Sequence, residues 1–268
     1  MLTLTNSLGV GVHNVEPIAP QDVFMEPFLQ IEKRSLEVQA AEAIRRRIVS
    51  GELRPGERLT EIRLSGELEL SRGTVRSALL RLVTEGLIEQ VPYSGWNVVR
   101  LTARDAWELY TLRSSMESLA ARLAAANLTG VGEKQLGEAF EALAKACAEG
   151  DLALVAHADF GLHKKIIEAA GHVRLGQQYL AIENQVQMYI ASSDALVVSR
   201  EAVLEQHRPL LAAILSRDVD AAADIARDHN LIEGQTLVRH FLQAEGHFDE
   251  KTPILSFGTD RVPSLSVN

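Results

Sequence analysis

The chain has 268 residues, of which 46% are apolar, 24% are charged and 5% are aromatic, and its formal net charge is −9 at pH 7. This is the composition of a soluble globular protein, long enough for one or two domains, each with its own core. No apolar run approaches the roughly 18 residues of a membrane span, and the start lacks the basic region of a secretory signal. The single cysteine, Cys147, excludes an intrachain disulfide, so we expect a cytoplasmic protein that binds no membrane.

The charge is unevenly distributed along the chain. Residues 33–100 hold 12 Lys and Arg against 9 Asp and Glu, a net charge of +3. The other residues hold 15 basic and 27 acidic side chains, a net charge of −12. Such an asymmetry indicates that the basic part meets a polyanion, although a solvated surface gives the same signal.

The first part of the chain predicts an arm followed by short helices. Residues 1–34 show no periodic pattern and are predicted to be a mobile arm. Ser35 is placed to cap a helix that runs to Gly51. After a Pro-Gly turn, a second short helix is predicted to begin near Thr60.

A third helix follows, with Ser71 as its N-cap and Gly86 at its end. Two strand-like stretches come next and predict a β-hairpin. Three helices and a hairpin outline a winged helix-turn-helix domain over residues 35–100. The apolar stripe of the third helix consists of Val75, Ala78, Leu79, Leu82 and Val83.

The third helix has the residues that a DNA-reading helix needs. In a helix-turn-helix, the N-terminal part of the second motif helix meets base edges in the major groove. Arginine suits this position because its planar fork bonds guanine O6 and N7 together. An ordinary surface helix with solvated arginines is the alternative. The predicted base-reading residues are Ser71, Arg72, Thr74 and Arg76, and the predicted phosphate contacts come from Arg54, Arg58, Arg100 and the wing at 93–95.

These motifs resemble the DNA-binding domain of the GntR family of bacterial transcription regulators. The resemblance implies that Arg72 and Arg76 contact bases or phosphates of a double-stranded operator, and that Gly95 is the wing glycine. Gly73, Ser77 and Ser94 depart from the commoner residues, which leaves the operator sequence open. The matching segments are G-x-L-x-P-G-x-x-L at 51–59, Glu61, S-R-x-x-V-R-x-A-L-x-R-L at 71–82 and E-G-L-I at 85–88.

The second half of the chain predicts an all-α antiparallel bundle over residues 101–245, followed by a flexible tail at 246–268. No convincing strand occurs after Leu101. Breaks are predicted at Gly130, Gly150, Gly171 and the Ser192-Ser193-Asp194 cluster. The predicted helices span roughly 102–127, 133–149, 151–170, 173–191, 199–216 and 218–244.

Four side chains in this half have the chemistry of a metal site. Asp159 and His163 are four residues apart, so both project from one face of a helix. His207 and His229 lie on two later helices, each beside an apolar stripe. One carboxylate and three imidazoles suit a divalent ion. Taken singly, however, each histidine is better explained as a core or surface residue than as a metal ligand.

Residues 102–240 resemble the FCD effector domain of the FadR-type branch of the GntR family. The matching segments are LYTLRSSMESLAARLAA at 109–125, D-x-x-x-H at 159–163, E-x-H at 205–207 and the RDVDAAADIARDH run that ends at His229. The resemblance implies that Asp159, His163, His207 and His229 bind Zn, Ni or Mn. It further implies that Arg113 grips the carboxylate of a small effector. Without the resemblance, Arg113 is predicted to be a surface residue beside Glu117.

We therefore predict a metabolite-responsive transcription regulator, a repressor acting as a homodimer on operator DNA. A metal-dependent enzyme acting on a small organic acid is the alternative, because such a site could activate water. A third possibility is a metal ion that only ties helices together.

Overall fold

The computed structural model describes residues 35–92, 95–194, 196–197 and 199–244. The predicted arm at 1–34 and tail at 246–268 lie outside this part of the chain. Within the described ranges the fold is mainly α, with a small sheet near the start. The elements are α1 Leu36–Val49, β1 Arg58–Leu59, α2 Glu61–Leu68, α3 Arg72–Thr84, β2 Ile88–Val91, β3 Gly95–Val98, α4 Ala103–Ala126, α5 Gly130–Glu149, α6 Leu152–Ala169, α7 Val173–Asp194, α8 Arg200–Leu215 and α9 Val219–Ala244.

Helices α1 to α3 and the sheet form a winged helix-turn-helix, as predicted. Ser71 caps α3, because its Oγ accepts a hydrogen bond from the backbone N–H of Thr74 at 3.1 Å. Helix α3 ends at Thr84, and Gly86 follows its C-cap with a φ of +70°, which suits glycine. The apolar stripe of α3 is buried against α1 and the sheet. Its fully buried members are Val75, Ala78, Leu79 and Leu82.

The sheet has three antiparallel strands in the order β1-β3-β2. The hairpin of β2 and β3 was predicted, whereas β1 was not, because two residues carry no periodic signal. Trp96 lies at the centre of β3, opposite Leu59 on one side and Gln90 on the other. Its indole is buried and donates a hydrogen bond to Glu61 Oε1 at 3.3 Å.

Helices α4 and α9 form the antiparallel centre of the helical domain. Ser118 Oγ donates to the Ala223 carbonyl at 2.9 Å, and Tyr110 packs at the other end against Gly234. A Cβ built at Gly234 would lie 2.6 Å from Tyr110 Cβ. The two helices approach closely because small residues line their contact.

Two boundaries differ from the sequence prediction. Helix α5 begins at Gly130 rather than near 133, because Thr129 Oγ1 caps it by accepting from the Gly132 N–H. Helix α7 continues through the predicted break at 192–194. The hydroxyls of Ser192 and Ser193 donate to carbonyls of the preceding turn, which satisfies them inside the helix.

Candidate functional site

The first turn of α3 presents the predicted base-reading residues at the surface. Arg72 and Arg76 are exposed, and the Arg76 side chain keeps 61% of its area in solvent. The nearest carboxylate to Arg76 is Glu61, whose Oε1 lies 3.7 Å from the guanidinium Nε. Ser71 Oγ lies 2.9 Å from Thr74 Oγ1 in addition to capping the helix. The two arginines are therefore free to meet a partner, while the Ser71 hydroxyl serves the helix end.

The other predicted DNA contacts lie on the sheet and beside it. Arg58 is exposed on β1 and pairs with Asn97 of β3. Gly95 begins β3 with a φ of +103°, a conformation that favours glycine. Arg54 and Arg100 are also exposed. The wing tip at residues 93–94 lies outside the described residues.

The four predicted metal ligands converge at one buried point. Helix α6 supplies Asp159 and His163, α8 supplies His207 and α9 supplies His229. Asp159 Oδ1 lies 2.7 Å from His207 Nε2 and 3.3 Å from His163 Nε2. The three histidines each offer a ring nitrogen within 4.8 Å of the others. Side chains that are up to 70 residues apart in sequence therefore share one centre.

The atoms at this centre fit a divalent cation. Both carboxylate oxygens of Asp159 and Nε2 of His229 are buried and make no hydrogen bond within the described part of the chain. The close contacts of Asp159 Oδ1 with His207 and His163, and of His229 Nε2 with Glu233, are ionic contacts without hydrogen-bond geometry. Leaving such atoms unpaired costs free energy, and a bound cation would satisfy them. The donor set of imidazole nitrogens and one carboxylate is one that zinc, nickel and manganese accept.

A second layer of side chains orients the imidazoles. His163 Nδ1 lies 2.7 Å from Glu117 Oε2, and His207 Nδ1 lies 2.7 Å from the Val203 carbonyl. These contacts direct the Nε2 atoms of both rings toward Asp159. Partners of this kind fix the tautomer of metal-binding histidines.

Electrostatics give Asp159 and His229, but not His163, the protonation state that binds a cation. Burial opposes ionisation of Asp159, but His207 and His163 outweigh burial and hold its pKa well below the usual range. Burial and the neighbouring His207 lower the pKa of His229 well below its ordinary value. At His163, burial would lower the pKa, but the Glu117 carboxylate and Asp159 raise it to about 9. The metal-free cluster therefore combines an ionised carboxylate with at least one neutral imidazole.

Arg113 is fully buried, so the unaided prediction of a surface position was wrong. Its Nε donates to Glu117 Oε1 at 2.8 Å and its Nη1 donates to Glu233 Oε2 at 3.1 Å. The two carboxylates compensate the charge, which allows α4 to carry an arginine on its buried face. Arg113 Nη2 is buried and has no hydrogen-bond partner among the described residues.

Sequence reasoning missed several residues around the cluster. Glu233 could have been found, because it lies four residues after His229, and the same spacing identified the pair Asp159 and His163 on α6. Glu117 stands in the same relation to Arg113. Tyr179 and Asn230, which donate to Glu117 at 2.8 and 2.9 Å, had no local signal, because only the packing of separate helices brings them there.

The helical domain also contacts the end of α3. Glu85, the C-cap of α3, forms a two-pronged ion pair with Arg45 of α1. Asn184 Nδ2 of α7 donates to Glu85 Oε2 at 3.2 Å, and Gln185 Nε2 donates to the Glu85 carbonyl at 3.4 Å. One carboxylate thus joins α1, α3 and α7.

A winged helix with exposed arginines, followed by a helical domain, defines a two-part transcriptional regulator. The sequence matches the gntR family of bacterial regulatory proteins over residues 36–98 and the FCD domain over residues 108–231. The chain belongs to the GntR family of transcription regulators and carries an FCD domain. The family consists of DNA-binding regulators, so the enzyme alternative is wrong for this chain.

Similar proteins agree with this assignment. The probable D-xylose utilization operon transcriptional repressor of Paenarthrobacter nicotinovorans is 30% identical over 184 residues, covering 68% of this chain and 80% of the relative. Two solved structures share the fold. Escherichia coli McbR/YncC has a TM-score of 0.65 at 23% identity, covering 77% of this chain and 99% of its own. A putative GntR regulator from Rhodococcus sp. RHA1 has a TM-score of 0.66 at 22% identity, covering 75% and 97%.

Among the described residues, every helix is too short or too polar to cross a membrane.

Proposed function

We propose that this chain is a repressor that binds operator DNA as a homodimer and responds to a small carboxylate. The carboxylate would bind, together with a divalent ion, in the buried cluster of the helical domain. The observation that carries the proposal is the convergence of Asp159, three histidines and Arg113 on four helices. A cation site beside a buried guanidinium is suited to an acid.

The exposed start of α3 supports the DNA-binding part. Arg72 and Arg76 would read base edges, while Arg58 and the turn at Gly95 would lie near the phosphate backbone. A helix-turn-helix protein commonly binds two half-sites one helical turn apart, which needs two copies of the reading helix. The similar protein from Paenarthrobacter is named a probable repressor. On that basis we propose that this chain also represses transcription.

The metal part rests on Asp159, His163, His207 and His229, which would hold the ion. When bound, the ion would supply a positive centre that attracts a carboxylate. Arg113 would supply the second positive contact through Nη2, which has no partner among the described residues. Zinc, nickel and manganese all suit this donor set.

Helix α7 supports communication between the cluster and α3. Tyr179 OH donates to Glu117 Oε1, and the other carboxylate oxygen of Glu117, Oε2, contacts His163 Nδ1. Five residues later, on the same helix, Asn184 donates to Glu85 at the end of α3. Because a helix moves as a rigid element, a ligand that shifts Glu117 would also displace the support of α3.

The first experiment is a gel shift with DNA from upstream of the chain's own gene. We expect specific binding that changes when small organic acids are added and when EDTA removes the metal. Specific binding that no acid alters, together with thermal destabilisation by EDTA, would instead indicate a metal with only a structural role. No specific binding would contradict the proposal as a whole.

The ligand set is tested by metal analysis. His207→Ala and His229→Ala should each lower the metal-to-protein ratio measured by mass spectrometry. His157→Ala is the matched control, because His157 is exposed on α6, outside the cluster. An unchanged metal content in the first two variants would refute the assigned ligands.

The role of α7 is tested separately. Asn184→Ala should keep the metal content of the wild type but weaken the effect of EDTA and acids on DNA binding. A full response in this variant would show that the signal does not pass through the contact with Glu85.

A further inference from the structure

Glu233 occupies an unusual place between the arginine and the histidines. It lies on α9, one turn after His229, and its side chain is 8% exposed. One carboxylate oxygen, Oε2, accepts from Arg113 Nη1 at 3.1 Å. The other, Oε1, lies 3.3 Å from His229 Nε2. The Glu233 carboxylate therefore joins the guanidinium to the edge of the cluster.

The guanidinium of Arg113 has no complete fork available. A carboxylate binds arginine best through two neighbouring N–H groups, and both forks of Arg113 include Nη2. Nη2 itself is buried, and no described residue forms a hydrogen bond with it. In the first fork, the second nitrogen is Nε, which donates to Glu117. In the other fork, it is Nη1, which donates to Glu233. A two-pronged acid must therefore displace one of these glutamates.

The two glutamates are held unequally. Glu117 also accepts hydrogen bonds from Tyr179 and Asn230 and lies against His163. Among the described residues, Glu233 accepts a hydrogen bond from Arg113 alone. Its other close neighbours are His229, at 3.3 Å, and Asp159 and His207, whose ligand atoms lie within 4.8 Å. Glu233 is consequently the one that an incoming acid would displace.

We propose that Glu233 is an internal competitor, a built-in carboxylate that occupies the Arg113 fork until a small carboxylate replaces it. This inference rests on the proposed function, in which the cluster binds such an acid. Glu233 then sets the ligand concentration at which the regulator responds. The competing ligand must be an acid, because only an anion recovers the contact that Arg113 loses.

The test is calorimetric titration of the metal-containing protein with acetate, lactate and succinate as probes. Glu233→Gln keeps the shape of the side chain but removes its charge. We expect it to bind the acids that bind the wild type about ten-fold more tightly, because a charged hydrogen bond contributes roughly 1.5 kcal/mol or more. Asp224→Asn is the matched control, since Asp224 is an exposed acid on α9, and its affinity should equal that of the wild type.

Glu233→Asp gives a second, independent variant. It keeps the charge but withdraws the carboxylate by one methylene, so it should also bind acids more tightly than the wild type. Metal content is measured for each protein in parallel, and circular dichroism checks the fold.

Three outcomes would overturn the inference. If the wild type binds an acid and both variants bind it equally or more weakly, Glu233 does not compete, while the proposed function stands. If Glu233→Gln loses the metal, Glu233 is a metal ligand instead of a competitor. If neither the wild type nor the variants bind any acid, the proposed carboxylate function fails together with this inference.

Discussion

Replacing Arg76 with alanine should weaken binding to operator DNA but leave the free energy of unfolding almost unchanged. The side chain is 61% exposed, and its only charged neighbour among the described residues is Glu61 at 3.7 Å. A surface ion pair of this kind contributes about 0–1 kcal/mol, so the free energy of unfolding should change by less than about 1 kcal/mol. A lost bidentate contact with guanine costs about 1–3 kcal/mol, which corresponds to roughly 5- to 150-fold in affinity for the operator.

The assay is fluorescence anisotropy with a labelled duplex from upstream of the gene and with an unrelated duplex. Arg76→Ala should lose most of its preference for the first duplex, whereas its urea denaturation midpoint should match that of the wild type. Arg208→Ala is the control, because Arg208 is an exposed arginine in the helical domain that pairs with Glu205, and it should leave DNA binding unchanged. Full operator preference in Arg76→Ala, or a large loss of stability, would refute the assignment of α3 as the reading helix.

Three further predictions concern the site and the packing. Glu117→Gln should lower the metal affinity about 10- to 100-fold in a competitive chelator titration, because it removes the carboxylate that orients one proposed ligand imidazole. A metal affinity equal to that of the wild type would contradict this role of Glu117. Leu79→Ala should lower the free energy of unfolding in urea by about 2–5 kcal/mol, since Leu79 is fully buried in the winged helix. Gly234→Ala should cost about 1–3 kcal/mol, because its Cβ would meet Tyr110. Gly161→Ala should not destabilise the protein, because no atom of the described ranges lies within 4 Å of a Cβ built there.

The sequence predicted the winged helix well because its signals are local. Ser71 and Gly86 mark the two ends of α3 through capping chemistry that needs only neighbouring residues. The strand β1 gave no such signal, because it is defined by its pairing with β3. The serines at 192–193 gave a false signal, since their hydroxyls turned back to the helix instead of ending it.

The candidate ligands were predicted as a set, but the shell around them was not. Spacing within one helix marks Asp159 and His163 as neighbours. It does not show that His207 and His229 reach the same point, and that convergence required α6, α8 and α9 to pack together. The resemblance to FCD domains supplied the set, and the structure brings the four side chains within contact of one another.

The amino-acid sequence alone specified the order of the helices, the β2–β3 hairpin, the α3 surface with its two arginines, and the types of side chain available for a metal site. Those properties depend on periodicity, capping and composition, and these can be evaluated from residues that are close together in the sequence. The packing of the helices, in contrast, buries Arg113 and gives its guanidinium two hydrogen-bond acceptors, Glu117 and Glu233. The packing also brings α7 into contact with both the cluster and the end of α3. These contacts are between helices that are far apart in the chain. A charged side chain can be buried only where the packing of such helices supplies it with partners of opposite charge.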